Sequence, residues 1–335
     1  EVPSSPTRPS PGRRGILWIR GEYPLCWPPQ QPSKVATVSR IAAPQGCRSD
    51  LLQVRGDWQF YAQVFDFPQW NTAENMCWLC RASNTIPNLY WTNMNPEAQW
   101  RSTLWSHETY MADLLANDKD VPELFSIVGL RLEGIMIDVL HAIDLGVSMH
   151  ILGNIFVECL PQLGRNEAQQ MANLNARIKA WYKENRVSSR LQGNLSKADL
   201  RSNGWPKLKG KGAAVRHLAP FGAKLAAEFN SGSLHDRRRC AVVDDLVRFY
   251  EIVNDGDRVL SGEAKAELAT LGQRLCGIYA CLSDEALQND AKLWHFVPKF
   301  HLFFHLCTHQ SQDFGNPRFY WCYADEDMVG HMVEV

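Results

Sequence analysis

The stretch IMIDVLHAIDLGVSMHILGNIFVECL, residues 135–160, is apolar on almost every side and decides the fold prediction. An element of this kind is buried on all its faces, so other elements must pack around it. Ser196 and Asp199 form a capping-box pattern that predicts a helix start. Apolar residues at helical spacing predict further helices near residues 165–186, 196–202, 211–230, 234–254, 262–282 and 298–309. We predict a mainly α-helical α+β chain, with a small β component near residues 50–60 and 315–323.

Composition limits the class of protein. The chain has 335 residues, of which 45% are hydrophobic and 21% charged, as in a globular protein with a substantial core. With 35 basic against 36 acidic residues, the net charge gives no support to nucleic-acid binding, although a local basic patch stays open. Charged residues interrupt the apolar run at 135–160, so we predict no membrane span. The ten scattered cysteines predict a reducing, intracellular compartment.

Both ends of the sequence are unusual for a complete protein. Residues 1–46 are rich in Pro, Ser and Arg, which predicts a disordered or irregular segment. They contain no apolar core of a signal peptide. The sequence begins at Glu1 and ends at Val335 within a predicted helix, so we expect a fragment.

Cys77 and Cys80 have the spacing of half a zinc site, in which two thiolates lie about one turn apart. A second pair of ligands is needed, and no other CxxC pattern occurs in the sequence. The formal candidates are histidines, namely His107, His141, or the i,i+4 pair His301 and His305. The sequence therefore predicts either a structural Zn²⁺ site or two buried, reduced thiols.

Three groups of polar residues stand where chemistry and helix capping are alternatives. Asp57 follows a short apolar strand and precedes a helix, so it either caps that helix or places a metal-binding carboxylate at a strand end. Asp138 and His141, three residues apart in the most apolar part of the chain, either satisfy each other or feed an active site. The acidic run 325–327 follows an aromatic stretch, and acidic residues that open a helix favour the positive end of its dipole.

Two basic clusters could contact phosphates. They are KLKGKG, with Lys207, Lys209 and Lys211, and the run Arg237, Arg238 and Arg239. Such clusters otherwise form solvated helix ends and loops. The twelve Trp residues likewise allow either a base-stacking or partner surface, or packing around an irregular core.

Four short blocks occur in order along the chain, with a long helical gap between the second and the third. They are GDWQFYAQVFDFPQWN followed by MCWLC, IDVLHAIDLGVSMHILGNIF, KFHLFFHL, and NPRFYWCYADEDMVG. Together these blocks resemble DNA transposases of the CACTA type and the related Kyakuja-Dileera-Zisupton group. The resemblance covers residues 50–335.

The resemblance implies a ribonuclease-H-like fold, a mixed sheet flanked by helices, with a helical insertion before the last catalytic residue. By position, Asp57 would be the second metal-binding carboxylate and Glu326 the third, while Asp66 is close enough to compete with Asp57. Three such carboxylates hold two Mg²⁺ ions, which activate the attacking oxygen and stabilise the leaving oxygen when DNA is cleaved and joined.

The remaining motifs also find counterparts in the family. Asp138 and His141 would be the Asp-x-x-His pair, and Cys77 and Cys80 the cysteine pair that supports the insertion. The implied segments are 1–46, irregular; 47–82, a partial ribonuclease-H-like core with the CxxC; 83–310, the helical insertion domain; and 311–335, a truncated last core segment with the catalytic-type Glu.

The chain departs from the family pattern at the first catalytic Asp. Residues 1–50 contain a single Asp, Asp50, which is too close to Asp57 to leave room for the strands between. We therefore expect an incomplete sheet, no bound Mg²⁺, and no nuclease or strand-transfer activity. DNA is the partner in the ancestral role, with a nuclear location if the chain functions, and we expect neither a membrane nor a small-molecule substrate. The alternatives are a helical DNA- or protein-binding module without catalysis and a zinc-stabilised helical domain.

Overall fold

A computed structural model describes residues 17–18, 24–25, 53–69 and 74–323. Helix accounts for 61% of the structure and strand for 6%, which confirms the predicted mainly helical class. Most of the segment 1–46, for which the sequence predicts irregular structure, lies outside the described residues, as does Glu326. The helices are α1 (Trp58–Val64), α2 (His107–Ala116), α3 (Ser148–Cys159), α4 (Glu167–Glu184), α5 (Gly212–Arg216), α6 (Ala219–Glu228), α7 (Leu234–Asp255), α8 (Gly262–Gln288), α9 (Pro298–His305) and α10 (Ser311–Phe314).

The apolar run at 135–160 forms a strand followed by a helix, not one continuous element. Ile135–Ile137 is strand β4, and a π-helical segment, Leu140–Val147, then continues directly into α3. The change occurs at Asp138, whose carboxylate accepts hydrogen bonds from the backbone N–H groups of Leu140 and His141. The helix is therefore capped from within the apolar run.

This central helix is the one segment of the described chain that is long and apolar enough to cross a membrane. The stretch Leu140–Leu163 has 24 residues, and 83% of its most apolar window is buried against the rest of the fold. Helices α6 and α7 pack on α3, α8 packs along α7, and α9 packs on both α8 and the π-helical segment. The stretch thus has the surroundings of a core helix, as its all-round apolar character predicts.

Two strands far apart in sequence form a parallel pair at one end of the central helix. Strand β3 (Val54–Gly56) pairs with β4 in the register Val54 with Ile135 and Gly56 with Ile137. The Tyr61 hydroxyl lies 3.1 Å from the Val54 carbonyl oxygen and 2.6 Å from the Met136 carbonyl oxygen, so it joins both strands to α1. The strands confirm β structure near residues 50–60.

The other described strands are short antiparallel pairs. Strands β1 (Leu17–Trp18) and β2 (Pro24–Leu25) pair with each other, and β1 lies against β3. Strands β5 (Arg201–Ser202) and β6 (Trp205–Pro206) form a small hairpin beside α3.

Two local predictions need correction. The capping box of Ser196 and Asp199 is present, but it starts only a 3-10 turn, Lys197–Leu200, in place of a longer helix. The strand expected near 315–323 is absent from the described residues there, and Pro317–Phe319 forms a 3-10 turn. The Asn316 side chain caps that turn and also donates to the Val253 carbonyl oxygen, which fixes the backbone in a turn.

Candidate metal centre and carboxylate pocket

The first half of the candidate metal centre is the turn between Cys77 and Cys80. Both thiols are buried, and each sulfur accepts a backbone hydrogen bond from two residues further on. The Leu79 N–H lies 3.3 Å from the Cys77 sulfur and the Ala82 N–H 3.4 Å from the Cys80 sulfur. Such N–H groups orient the sulfur atoms and stabilise thiolate charge.

The second half comes from α9, which presents His301 and His305 on one face because residues four apart are neighbours on a helix. The Nε2 atoms of the two rings are 3.0 Å apart, and each lies 3.3 Å from the Cys80 sulfur. The ligand atoms of Cys77, Cys80, His301 and His305 all lie within 4.8 Å of one another, and all four residues are buried. The cluster joins chain segments that are 221 residues apart.

These distances fit a tetrahedral zinc site. Ligands at ordinary zinc distances are separated by about 3.3 Å for two nitrogens and about 3.6 Å for nitrogen and sulfur. Trp100 closes the cluster on one side, with its ring centroid 4.5 Å from that of His301. The structure therefore brings a second pair of possible ligands to the CxxC, and the cluster could hold a metal ion such as zinc.

Electrostatics in the cluster favour one thiolate. Burial alone would raise the pKa of Cys77, but the hydrogen bond with Cys80 and the charges of His305 and His301 outweigh it, so the pKa is well below its usual value. Burial and then the neighbouring Cys77 raise the pKa of Cys80. A divalent cation would favour both thiolates, since metal binding releases their protons.

The other histidines considered from the sequence are used elsewhere. The Nδ1 atom of His107 accepts the Leu132 N–H at 3.2 Å. His141 pairs with Asp138. A further histidine, His309, places its Nδ1 atom 3.3 Å from that of His305. It is placed to orient the His305 ring, as outer partners of metal ligands commonly do.

A pocket of about 170 Å³ opens at the carboxyl ends of the two parallel strands. Asp57 directly follows β3 and Asp138 directly follows β4, and both line this pocket. Asp57 also caps α1, because its Oδ1 atom accepts the Phe60 N–H at 2.6 Å. Its second carboxylate oxygen has no hydrogen bond within the described residues.

Asp138 is saturated by donors. It accepts from the backbone N–H groups of Leu140 at 3.2 Å, His141 at 3.0 Å and Cys322 at 2.7 Å, and its Oδ2 atom lies 2.6 Å from Nδ1 of His141. These four contacts occupy the lone pairs of one carboxylate. The structure thus shows both the cap and the mutual pairing weighed from the sequence, and the contact with Cys322 ties the late aromatic stretch to the pocket.

Lys299 supplies a positive charge to the same pocket, a role that no sequence motif indicates. Its ammonium group donates to the carbonyl oxygens of His141 at 2.6 Å and Leu145 at 3.0 Å. Burial, followed by the charge of Lys207, lowers the pKa of Lys299 to about 8, against the opposing effect of Asp138 and Asp57.

Asp66, the alternative to Asp57, lies elsewhere. It is exposed beyond the end of α1, with a backbone φ of 51°, and it does not line the pocket. Asp57 is therefore the residue at the strand end. Glu326 lies outside the described residues, so its expected approach to Asp57 stays a prediction.

The two basic clusters differ in how accessible they are. Lys209, Lys211 and Arg237 are exposed, and Lys207 is half-buried. Arg238 is half-buried and pairs with Glu285 at 3.3 Å. Arg239 is buried, and three contacts occupy its guanidinium group: Asp236 at 2.9 Å, the Phe229 carbonyl oxygen at 2.9 Å and Glu158 at 3.3 Å. Arg239 thus faces the interior of the helical bundle, and its expected contact with nucleic acid stays a prediction.

No family model matches this sequence, and no curated protein matches it. The side chains themselves therefore carry any assignment of function. Within the described residues, they offer a buried Cys2His2 cluster and, beside it, a pocket with two carboxylates and a lysine.

Proposed function

We propose that this chain derives from a DNA transposase of the CACTA and Kyakuja-Dileera-Zisupton type and that it has no nuclease or strand-transfer activity. The observation that supports the ancestry most directly is the pair of parallel strands β3 and β4, each followed by an aspartate at its carboxyl end. Ligand sites in open α/β sheets lie at these strand ends. Asp57 and Asp138 have this position at the rim of one pocket.

The length of chain after Cys322 limits how far Glu326 can lie from the pocket. The Cys322 N–H donates to Asp138, and Glu326 follows Cys322 by only four residues. Covalent geometry limits the separation of their Cα atoms to about 14 Å. A role for Glu326 as the third carboxylate beside Asp57 is therefore compatible with the fold.

Inactivity follows from the state of the carboxylates. A two-metal site needs several carboxylate oxygens with free lone pairs. Among the described residues of the pocket, hydrogen bonds occupy the lone pairs of Asp138, and Asp57 has one carboxylate oxygen without a hydrogen bond. Lys299 already places a positive charge in the pocket. The single Asp in residues 1–50, Asp50, is too close to Asp57 to be the family's first catalytic Asp.

The Cys2His2 cluster has a supporting part in this proposal. Zinc held by Cys77, Cys80, His301 and His305 would tie the segment after Asp57 to α9, which carries Lys299. A structural zinc site of this kind contributes directly to folding stability.

Inactivity is tested by incubating the purified chain with supercoiled plasmid and either Mg²⁺ or Mn²⁺, alongside Glu326→Ala and Asp57→Asn variants. We expect equal, background nicking for all three proteins. Nicking by the natural sequence that disappears in Glu326→Ala would refute inactivity.

Ancestry is tested by an experimental structure in the presence of Mn²⁺ that includes residues 324–335. Carboxylates of Asp57 and Glu326 within about 8 Å would support a former two-metal site. Carboxylates much further apart would refute the catalytic correspondence of these two residues.

A further inference from the structure

The carboxyl group of Asp144 is fully buried in the π-helical segment, and it belongs neither to the metal centre nor to the lining of the carboxylate pocket. Two tyrosine hydroxyls donate to it, that of Tyr250 on α7 to Oδ1 and that of Tyr323 to Oδ2. The Tyr250 hydroxyl also lies 2.6 Å from the Ser148 hydroxyl on α3. Asp144 therefore joins two core helices to the chain that follows the 3-10 turn Pro317–Phe319.

Gly212, the first residue of α5, leaves the space for the bond between Tyr323 and Asp144. A Cβ atom at this glycine would lie 3.2 Å from the Tyr323 hydroxyl oxygen and 3.3 Å from the Asp144 Cβ. It would also meet the Leu140 Cδ1 at 2.4 Å, closer than real Cβ atoms approach. The Tyr323 hydroxyl thus enters a gap between α5 and the central helix that a larger residue would close.

Arg216, the last residue of α5, covers the same carboxyl group. Its guanidinium carbon lies 4.8 Å from the ring centroid of Trp321, 5.3 Å from that of Tyr323 and 5.9 Å from that of Tyr250. The Nε and Nη1 atoms are buried and have no hydrogen-bond partner. Aromatic faces attract such a cation. The position of Arg216 therefore depends on the two rings that the late part of the chain supplies.

The chain just before these rings is pinned to the end of α7. The side chains of Asn316 and Arg318 donate to three backbone carbonyl oxygens there, at distances from 2.6 to 3.0 Å. The Tyr320 ring is buried, whereas Trp321 and Tyr323 are half-buried. A change in this region is therefore easiest in the residues after Tyr320.

Residues 321–323 form what we call the strap. Besides the contacts with Asp144 and Arg216, the strap is held by the Cys322 N–H, which donates to Oδ1 of Asp138 at 2.7 Å. Asp138 lines the carboxylate pocket, and Asp144 does not. The strap thus connects a buried carboxyl group of the core with a carboxylate of the pocket.

Protonation of Asp144 changes how well the strap is held. Burial raises the pKa of Asp144 to about 7, against the opposing effects of the Arg216 charge and of the two tyrosine hydrogen bonds, and the charge of Asp138 adds to the rise. Water that reached the carboxyl group would cancel the effect of burial and return the pKa towards its usual value of 3.8. The protonated form therefore favours the closed strap, and the ionised form favours a strap that admits water.

The other titratable groups around Asp144 keep their charge in this pH range or oppose its ionisation less. Burial raises the pKa of Tyr250 and of Tyr323, so both hydroxyls stay protonated. On α9, the Lys299 ammonium group binds the carbonyl oxygen of Leu145, the residue next to Asp144. Asp144 is therefore the group in this contact whose charge changes as the pH passes 7.

We propose that residues 321–323 act as a proton-controlled strap, which protonated Asp144 holds closed on the central helix and which ionisation of Asp144 releases. Release withdraws the Cys322 N–H from Asp138, so one lone pair of a pocket oxygen becomes available to another donor. The strap itself rests on the contacts described above. Only its link with Glu326, four residues after Cys322, rests on the proposed function.

The test is hydrogen exchange of the full chain with Zn²⁺ added, at pH 6 and pH 8, corrected for the intrinsic effect of pH on exchange. Mass spectrometry follows the peptide that contains residues 319–323. We expect its protection to fall about tenfold from pH 6 to pH 8, because Asp144 is mostly neutral one pH unit below its pKa and mostly charged one unit above it. A peptide from α4 reports on global unfolding and should keep its protection.

Two variants separate the strap from a general effect of pH. Asp144→Asn cannot ionise, so its protection should not fall between pH 6 and pH 8. Asp245→Asn is the matched control, because Asp245 is also buried and pairs with Arg274 away from the strap. The control should show the same tenfold fall as the natural chain.

Arg216→Gln gives an independent test if Asp144→Asn does not fold. The Arg216 charge lowers the pKa of Asp144, so its removal should move the loss of protection to a higher pH. A loss at the same or a lower pH would overturn the inference. So would protection of the natural chain that stays constant or rises with pH, a tenfold fall in Asp144→Asn, or no fall in Asp245→Asn.

The outcomes for the strap and for the proposed function are distinguishable. A strap that does not respond to pH, together with a short distance between Asp57 and Glu326, would overturn the strap and leave the ancestry intact. A responsive strap together with a long distance would support the strap and remove its link with Glu326.

Discussion

Replacing Cys80 by serine is the most direct perturbation of the metal centre, because its sulfur contacts both histidine rings of the cluster at 3.3 Å. Serine is a poor zinc ligand and leaves only three donors. We expect the natural chain to carry about one zinc ion per molecule and the Cys80→Ser variant to carry almost none. The expected loss of stability can be worked out from the position of the cluster in the chain.

The metal closes a loop of 221 residues between Cys80 and His301. For a cross-link of that span, the chain-entropy model gives about 5 kcal/mol of stabilisation, and metal clips act on the unfolded state in the same way. A domain of about 250 residues loses roughly 0.5 kcal/mol of stability per degree near its melting temperature. We therefore expect the melting temperature of Cys80→Ser to fall by about 10 °C.

The assay combines zinc content, measured by mass spectrometry, with thermal unfolding before and after treatment with a chelator. Cys276→Ser is the matched control. Its sulfur is also buried and lies 3.3 Å from the Phe300 carbonyl oxygen, a hydrogen bond that a serine hydroxyl can keep. The control should retain zinc and show the same response to the chelator as the natural chain, whereas Cys80→Ser should show no response.

Two outcomes would refute this reasoning. In the first, the purified natural chain contains no zinc and its melting temperature does not change with added Zn²⁺ or chelator. In the second, Cys80→Ser and Cys276→Ser lose the same stability and respond equally to the chelator. The loss would then come from core packing and not from a metal ion.

Two further predictions concern the polar groups of the fold. The pKa of His235 is raised, mainly by its hydrogen bond to Glu158, with Glu285 on its other side. His235→Gln should therefore lower the free energy of unfolding most below about pH 6.5. The difference from the natural chain should decline as the pH rises through the raised pKa. Equal differences in urea unfolding at pH 5.5 and 8.5 would contradict this. Asp138→Asn should cost about 3 kcal/mol or more, because it leaves buried donors unpaired, whereas Asp57→Asn should cost about 1 kcal/mol or less as a change of helix cap. Similar losses for the two variants would contradict the difference in burial and bonding.

The helical part of the fold could be read from the sequence because its signals are local. The predicted segments 165–186 and 234–254 correspond closely to α4 and α7, whose apolar stripes repeat at helical spacing. Strand β4 could not be recognised in this way. Three apolar residues before a buried helix look the same whether they begin that helix or pair with a strand. The partner β3, which decides between them, is distant in sequence.

The candidate site was predictable to the extent that short motifs carry it. The CxxC and the i,i+4 histidine pair each stood out, but only the fold shows that His301 and His305, and not His107 or His141, meet the cysteines. Lys299 is the first residue of the KFHLFFHL block and gives no signal in the sequence, because its role depends on carbonyl groups of another helix. The burial of Arg239 was not predictable, since a run of basic residues does not show which member faces the interior.

The metal centre and the carboxylate pocket share their supporting elements, which links the stability of one to the shape of the other. Trp78 lies between the two cysteines of the CxxC and also lines the pocket. On the opposite side, α9 carries Lys299 into the pocket and, two residues later, His301 into the cluster. A metal ion bound there would hold both walls in place from outside the pocket. The position of Lys299 would then depend on the metal, so loss of the ion would alter the pocket as well as the cluster.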